Sequence, residues 1–303
     1  MTYLIGLLGL LIGIISPALG VLLLICTSGK YFIETPGYTF KFFLIWILTS
    51  GFLFIFNIID KVQIANLIFG AGFSCILLFY LIKKEYQQNY IFLTLFGFNV
   101  VYVLVRQLLY SEYINNMYLE SVEGAVTMLS NRFQAGSEQY VLFMDLIEMS
   151  KDFYLKYSPG IWIATMLMCL IFGYYFLSRK LRTLESYDLE PLSHYQTHNY
   201  AIYSLILALI VAVFFTKYRV ISINLLLALM PLFLLQGFAV IKMKIGKWFV
   251  NSKFLLVLAI LTLLINPYVI LFISVIGLFD NWFDFRSLSK MEEINEDNTD
   301  RDT

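Results

Sequence analysis

Asn99, Tyr102, Arg106 and Tyr110 are polar residues inside an otherwise apolar stretch, separated by three, four and four positions. At that spacing they share one face of a helix. Polar groups are costly in lipid, so such a face is a functional candidate by default. The planar guanidinium of Arg106 matches a carboxylate or phosphate on a ligand, and Asn99 and Tyr102 would surround it with hydrogen-bonding groups. Three roles compete for Arg106. It can snorkel to the outer surface, because it lies only four residues from the end of its apolar stretch. It can pair with an acid of the polar segment that follows. It can meet an anionic ligand.

A second group sits near the C-terminus. Asn224, Pro231 and Gln236-Gly237 interrupt another apolar stretch. Proline there frees a backbone carbonyl, which a neighbour or a cavity must satisfy. Gln236 is a candidate ligand contact or an interhelical hydrogen-bonding residue. Gly277, Asp280, Asp284 and Arg286 follow in the run GLFDNWFDFR. Pairing of aspartate with arginine would fix the end of the last span, and the same cluster could serve as a partner-binding patch. Gly9 and Gly13 form a small-xxx-small face that admits another helix, either from within the chain or from a membrane partner. Gly70, Gly72 and Ser74 invite the same two readings.

Other chemistries lack their parts. His194 and His198 would share a helix face, but a zinc site needs further ligands, so they read as loop histidines and no metal or cofactor is expected. No paired acid and base, Ser-His set, HExxH or phosphate-binding glycine loop is present. No catalytic residue is assigned, and the chain is not expected to be an enzyme. Cys26, Cys75 and Cys169 read as small buried hydrophobes. The net charge of zero gives no case for nucleic acid.

The elements that must hold these residues are eight apolar tracts, roughly 3–26, 42–59, 64–82, 91–110, 159–178, 199–216, 220–241 and 252–279. Each is near the length of about 20 residues that crosses a bilayer as a helix, and none alternates as a barrel strand would. Charged residues are 14% of the chain, well below the roughly 25% of a soluble domain. The expected fold is all-α: a polytopic transmembrane bundle of eight to ten spans. The range arises because Pro17 and Asn266-Pro267 break the first and last tracts, each of which is one kinked span or two short helices. The first tract lacks the features of a cleaved signal and is expected to be retained.

The divisions expected are a transmembrane block at 1–110, an extracytoplasmic segment at 111–158, a second block at 159–286 and a disordered acidic tail at 287–303. In the outer segment, Ile114, Tyr118, Val122, Val126, Leu129 and Phe133, then Tyr140, Phe143, Ile147 and Tyr154, recur at helical spacing. They predict two amphipathic helices broken near Gly136, forming a cap on the membrane surface or a lid over a cavity. One choice of orientation puts 11 basic residues in the inner loops against Lys61, Lys217 and Arg219 outside. The C-terminus is then expected inside.

The stretch LLQGFAVIKMKIGKW followed by GLFDNWFDFR resembles the YybS-like family of uncharacterised bacterial membrane proteins. The matching positions are Gln236, Gly237, Gly277, Asp280, Phe283, Asp284 and Arg286, and length and tract order agree over nearly the whole chain. The resemblance implies a fold similar to the substrate-capture subunits of energy-coupling-factor vitamin transporters. Such subunits often dock a partner through small residues spaced by four on the first helix, the role Gly9 and Gly13 would take here. This chain is longer and carries an extra outer segment.

Two functions follow as expectations. The first is a capture-like or transporter-like subunit that holds a small molecule between helices, with Asn99, Arg106 and Gln236 lining the cavity. The alternative is a non-transporting scaffold or assembly factor that binds other membrane proteins or a second copy of itself. The lipid bilayer is a partner in both.

Overall fold

A computed structural model describes residues 2–35, 37–133, 136–182, 191–250 and 266–286. The helices are α1 (Thr2–Ile15), α2 (Pro17–Glu34), α3 (Tyr38–Ile55), α4 (Lys61–Ala65), α5 (Phe73–Lys83), α6 (Gln88–Arg132), α7 (Glu138–Arg182), α8 (Asn199–Phe214), α9 (Arg219–Val250) and α10 (Pro267–Phe283). A π-helical segment, Asn66–Gly72, joins α4 to α5. No strand occurs among the described residues. The stretches Lys61–Lys83, Gln88–Arg132, Glu138–Leu181 and Thr216–Lys244 are long and apolar enough to cross a membrane, and shorter apolar helices pack beside them. The chain is an all-α polytopic membrane protein.

The first tract is two helices. Pro17 cannot continue α1, and the Ser16 side chain accepts from Leu19 N at 3.5 Å to cap α2. The two helices fold back on each other at glycine. A Cβ on Gly20 would lie 2.6 Å from the Gly9 carbonyl oxygen and 2.7 Å from Gly13 Cα. The Gly9–Gly13 face is therefore covered by α2 of the same chain. Next, α2 packs along α7, with Ile25 against Gly173 and Leu177 against Gly29. Those matching offsets make α2 and α7 run parallel. Lys180 Nζ donates to the Cys26 carbonyl at 2.8 Å where they descend together.

Trp46, Phe92, Tyr174, Tyr195 and Phe233 are the largest fully buried side chains. Phe92 centres an aromatic group, with Tyr174 and Tyr195 at ring distances of 5.1 and 5.5 Å. This ties the start of α6, the end of α7 and the segment 191–198 into one inner layer. Burial pushes the Tyr195 phenol above its ordinary pKa.

The outer segment is not a separate pair of helices. α6 and α7 are each 45 residues long and run unbroken out of the bundle, so the boundaries at 110 and 158 fall inside helices. Tyr118 stacks on Tyr154 at 4.0 Å and Phe133 packs on Phe143 at 5.5 Å, so the two extensions pair with each other. The reversal lies between Arg132 and Glu138, with Gly136 at φ +86°. Only one series of apolar residues on α7 is used in this pairing. Leu142, Leu146, Met149 and Phe153, on an adjoining face, are exposed.

Pro159 lies inside α7 where the helix enters the bundle. Gly160 N donates to Asn224 Oδ1 at 2.7 Å, and Asn224 Nδ2 donates to the Lys156 carbonyl at 2.8 Å. The Asn224 amide is thereby inserted into the helix ladder beside the proline. The acidic tail 287–303 and the first half of the eighth tract lie outside the described residues.

Candidate functional site

The residues expected to line one cavity fall into two separate polar nodes. The outer node is built by α6, the π-helical segment and α7. Tyr102 Oη donates to Asn66 Oδ1 at 2.7 Å, and Arg106 Nη1 donates to the same oxygen at 3.3 Å. The Arg106 guanidinium lies over the Trp162 ring at 5.1 Å, and the Tyr102 ring lies 5.2 Å from Trp162. Gly70 makes this packing possible, because a Cβ there would approach Trp162 to 2.9 Å and Tyr102 to 3.0 Å. Trp46 Nε1 donates to the Leu67 carbonyl at 3.2 Å and so steadies the π-helical segment from behind. π-helical turns of this kind recur at functional sites.

Arg106 is only 6% exposed, so it does not snorkel. Among the described residues no carboxylate pairs with it, and its Nε is buried without a hydrogen-bond partner. Asn99 is further along the same face and fully buried. It donates to the Leu95 carbonyl at 2.8 Å and to Ser74 Oγ at 3.3 Å, and its Oδ1 has no partner. Lys61, at the start of α4, lies over the Tyr113 ring at 4.5 Å. The node therefore sits just below the outer turn that precedes α4.

The inner node is built by α9, α10 and the segment 191–198. Gln236 is fully buried. Its Oε1 accepts from Thr197 N at 3.0 Å, and its Nε2 donates to Asp280 Oδ2 at 2.9 Å and to Asn281 Oδ1 at 3.1 Å. Asp280 Oδ2 also accepts from Arg286 Nε at 2.9 Å and Nη2 at 2.6 Å. Arg286 Nη1 donates to the carbonyls of Ser193 and Tyr195 at 2.7 and 2.8 Å. Gly237 and Gly277 bring α9 and α10 together here. A Cβ on Gly237 would collide with the Ile273 carbonyl oxygen, and one on Gly277 with that of Phe233. Asp284 takes a left-handed conformation at φ 41° and ends α10, its N–H bonding to the Asp280 carbonyl.

Gln236 thus joins the C-terminal motif rather than Asn99 and Arg106. All its amide atoms are engaged by protein, which makes it a structural bridge and removes it from the outer site. Gly277, Asp280, Asp284 and Arg286 form one interlocked end. Arg286 meets the same 191–198 segment that carries His198, so the C-terminal motif shares the side assigned as inner by the basic residues. His198 caps α8, Nδ1 accepting from Tyr200 N at 3.3 Å. Among the described residues no three metal-ligating side chains cluster. The apolar cavity near Leu24, Phe42, Trp46 and Phe79 includes none of the candidate residues.

Sequence reasoning missed Asn66 and Thr197. The signal for Asn66 was a lone asparagine inside a span, six residues after the capping Asp60. Thr197 carried no signal of its own; it meets Gln236 through its backbone N–H and the Leu232 carbonyl through its hydroxyl.

A family model described as predicted membrane protein (DUF2232) matches residues 3–281. The chain belongs to this family. The match runs from α1 into α10 and takes in both polar nodes apart from Asp284 and Arg286. The family description states a membrane protein and no activity. No curated protein and no solved structure gives a significant match to the chain.

Proposed function

We propose that this DUF2232 protein is a capture-type subunit of the bacterial cytoplasmic membrane, holding a small ligand at the outer node. It acts by binding, without catalysis, and the capture can serve transport. One observation carries this reading: Arg106 is 6% exposed and has no carboxylate partner among the described residues. Burying an ion costs several kcal/mol even after relaxation. A cation–π contact returns about 2 kcal/mol when desolvated, and a hydrogen bond from a charged group about 1.5–3 kcal/mol. Those returns offset much of the cost, but Nε stays without an acceptor until something else enters the site. The test is gentle purification in native lipid followed by untargeted mass spectrometry. A stoichiometric small molecule in wild type, lost in Arg106→Gln, is the expected result. Wild type free of any such molecule would end this reading.

A second reading rests on the exposed face of α7. Leu142, Leu146, Met149 and Phe153 are spaced by four, three and four, as in a helix-pairing seam. Asp145 and Asp152 flank it. In this reading the outer hairpin docks another protein or a second copy, and the protein is a scaffold. Leu146→Lys with Met149→Lys should then release a co-purifying protein or halve the particle mass. Unchanged mass and partners would exclude it.

A further inference from the structure

Two arginines are buried among the described residues, and only one of them has its paired donor edge occupied. In Arg286 the edge formed by Nε and Nη2 faces Asp280, at 2.9 and 2.6 Å, while Nη1 meets two carbonyls. In Arg106, Nη1 meets Asn66 at 3.3 Å. Its Nε is buried without a partner, and no described residue accepts from Nη2. The Nε–Nη2 edge carries two parallel donors and is the side from which arginine grips a carboxylate or phosphate with two oxygens. Asn66 meets the guanidinium at Nη1 and Trp162 lies over its face, so the Nε–Nη2 edge has no polar partner among the described residues.

We infer that the ligand of the outer node is an oxyanion, a phosphate or carboxylate group taken side-on by Nε and Nη2 of Arg106. This deepens the capture reading and rests on it. The oxyanion neutralises the guanidinium, and Tyr102 and Asn66 keep the fork oriented. A neutral ligand would leave the charge uncompensated. Arg106 lies 18 residues along α6 from Gln88, about 27 Å of helix rise. That is close to the thickness of the hydrocarbon core, about 30 Å. The oxyanion can therefore come from two sources, the phosphate of an outer-leaflet lipid or a soluble anion arriving from outside.

Asn66→Asp gives the sharpest test, because it builds a carboxylate where Arg106 already points. Wild type, Asn66→Asp and Arg106→Lys are reconstituted in discs of phospholipid and in discs of uncharged galactolipid. Retained small molecules and melting temperature are then read for each. Wild type is expected to retain one molecule bearing a phosphate or carboxylate. A phospholipid kept only in phospholipid discs assigns the bilayer as source, and a soluble anion kept in both assigns the aqueous side. Asn66→Asp is expected to lose that molecule and, free of ligand, to melt several degrees above ligand-free wild type. Arg106→Lys keeps the charge without the paired donors and is expected to lose the molecule too. A retained molecule with no anionic group would overturn the oxyanion and leave capture standing. Asn66→Asp melting below wild type while keeping the same molecule would also overturn the oxyanion. Wild type with no retained molecule would overturn the capture reading and the oxyanion with it.

Discussion

Asp280 receives Arg286 on a single carboxylate oxygen, Oδ2, while Oδ1 stays buried without a partner. The two residues are 3% and 2% exposed, so water does little to screen them. Removing one member of such a pair strands the other charge and costs about 3–5 kcal/mol, whereas replacing both with apolar groups of similar size is often neutral. Asp280→Asn and Arg286→Met should each lower the melting temperature strongly. The double variant should recover most of the loss. A double-variant cycle in one detergent checks this, and additive losses would mean the pair is not coupled.

The crossing of α9 on α10 depends on two missing methyl groups. Gly237→Ala drives a Cβ into the Ile273 carbonyl, and Gly277→Ala drives one into the Phe233 carbonyl. Backbone atoms cannot swing aside, so each change should reach or exceed the upper end of the usual overpacking cost, about 1–3 kcal/mol. Gly97, in the third turn of α6, has nothing within 4 Å of its ideal Cβ. Gly97→Ala should be neutral or stabilise by up to about 1 kcal/mol, the helix preference of alanine over glycine. Thermal unfolding of the three variants separates these outcomes.

The class of this fold was legible in its apolar tracts, because every backbone group in lipid must be satisfied within a helix. The face shared by Asn99, Tyr102 and Arg106 was legible for the same reason, from the period of the helix. What faces it was not. Asn66 reaches Arg106 from 40 positions away, through a π-helical segment that shifts the register of α4 against α5, and no periodicity announces such a shift. Gln236 was placed with the wrong group because hydropathy ranks burial and does not say which helix is next. The first tract was open between one span and two. Ser16 settles this by capping α2 beside Pro17, a pattern that sequence carries only weakly within an apolar run.

Gly20, Gly9 and Gly13 meet in the α1–α2 turn, and their tolerance should be unequal. A Cβ on Gly20 would lie 2.6 Å from the Gly9 carbonyl, while one on Gly9 would sit 3.4 Å from that of Gly20. Gly13 is intermediate, since its Cβ would meet a Leu67 methyl at 2.9 Å, and that side chain can move. The expected order of destabilisation by alanine is therefore Gly20, then Gly13, then Gly9. If Gly9→Ala proved the worst of the three, α1 would have to be packing against something other than α2.

Asn224 should govern how the backbone of α7 is held beside Pro159, where the helix enters the bundle. Its side chain accepts from Gly160 N and donates to the Lys156 carbonyl, two groups that an unbroken helix would pair with each other. Gly160 is obligatory there, since a Cβ would fall 2.5 Å from the Asn224 carbonyl oxygen. Asn224→Leu leaves both backbone groups without that amide. A buried unsatisfied group costs about 1–3 kcal/mol, but the Lys156 side of the contact is exposed and water will recover part of it. A net loss of about 2 kcal/mol is expected by that reckoning. Asn224→Asp keeps the acceptor for Gly160 and gives up the donor for Lys156, so it should fall between wild type and Asn224→Leu. Hydrogen exchange at the Gly160 amide is the direct readout. Faster exchange in Asn224→Leu than in Asn224→Asp is the expected order, and equal rates in all three proteins would show that the Asn224 amide does not protect Gly160.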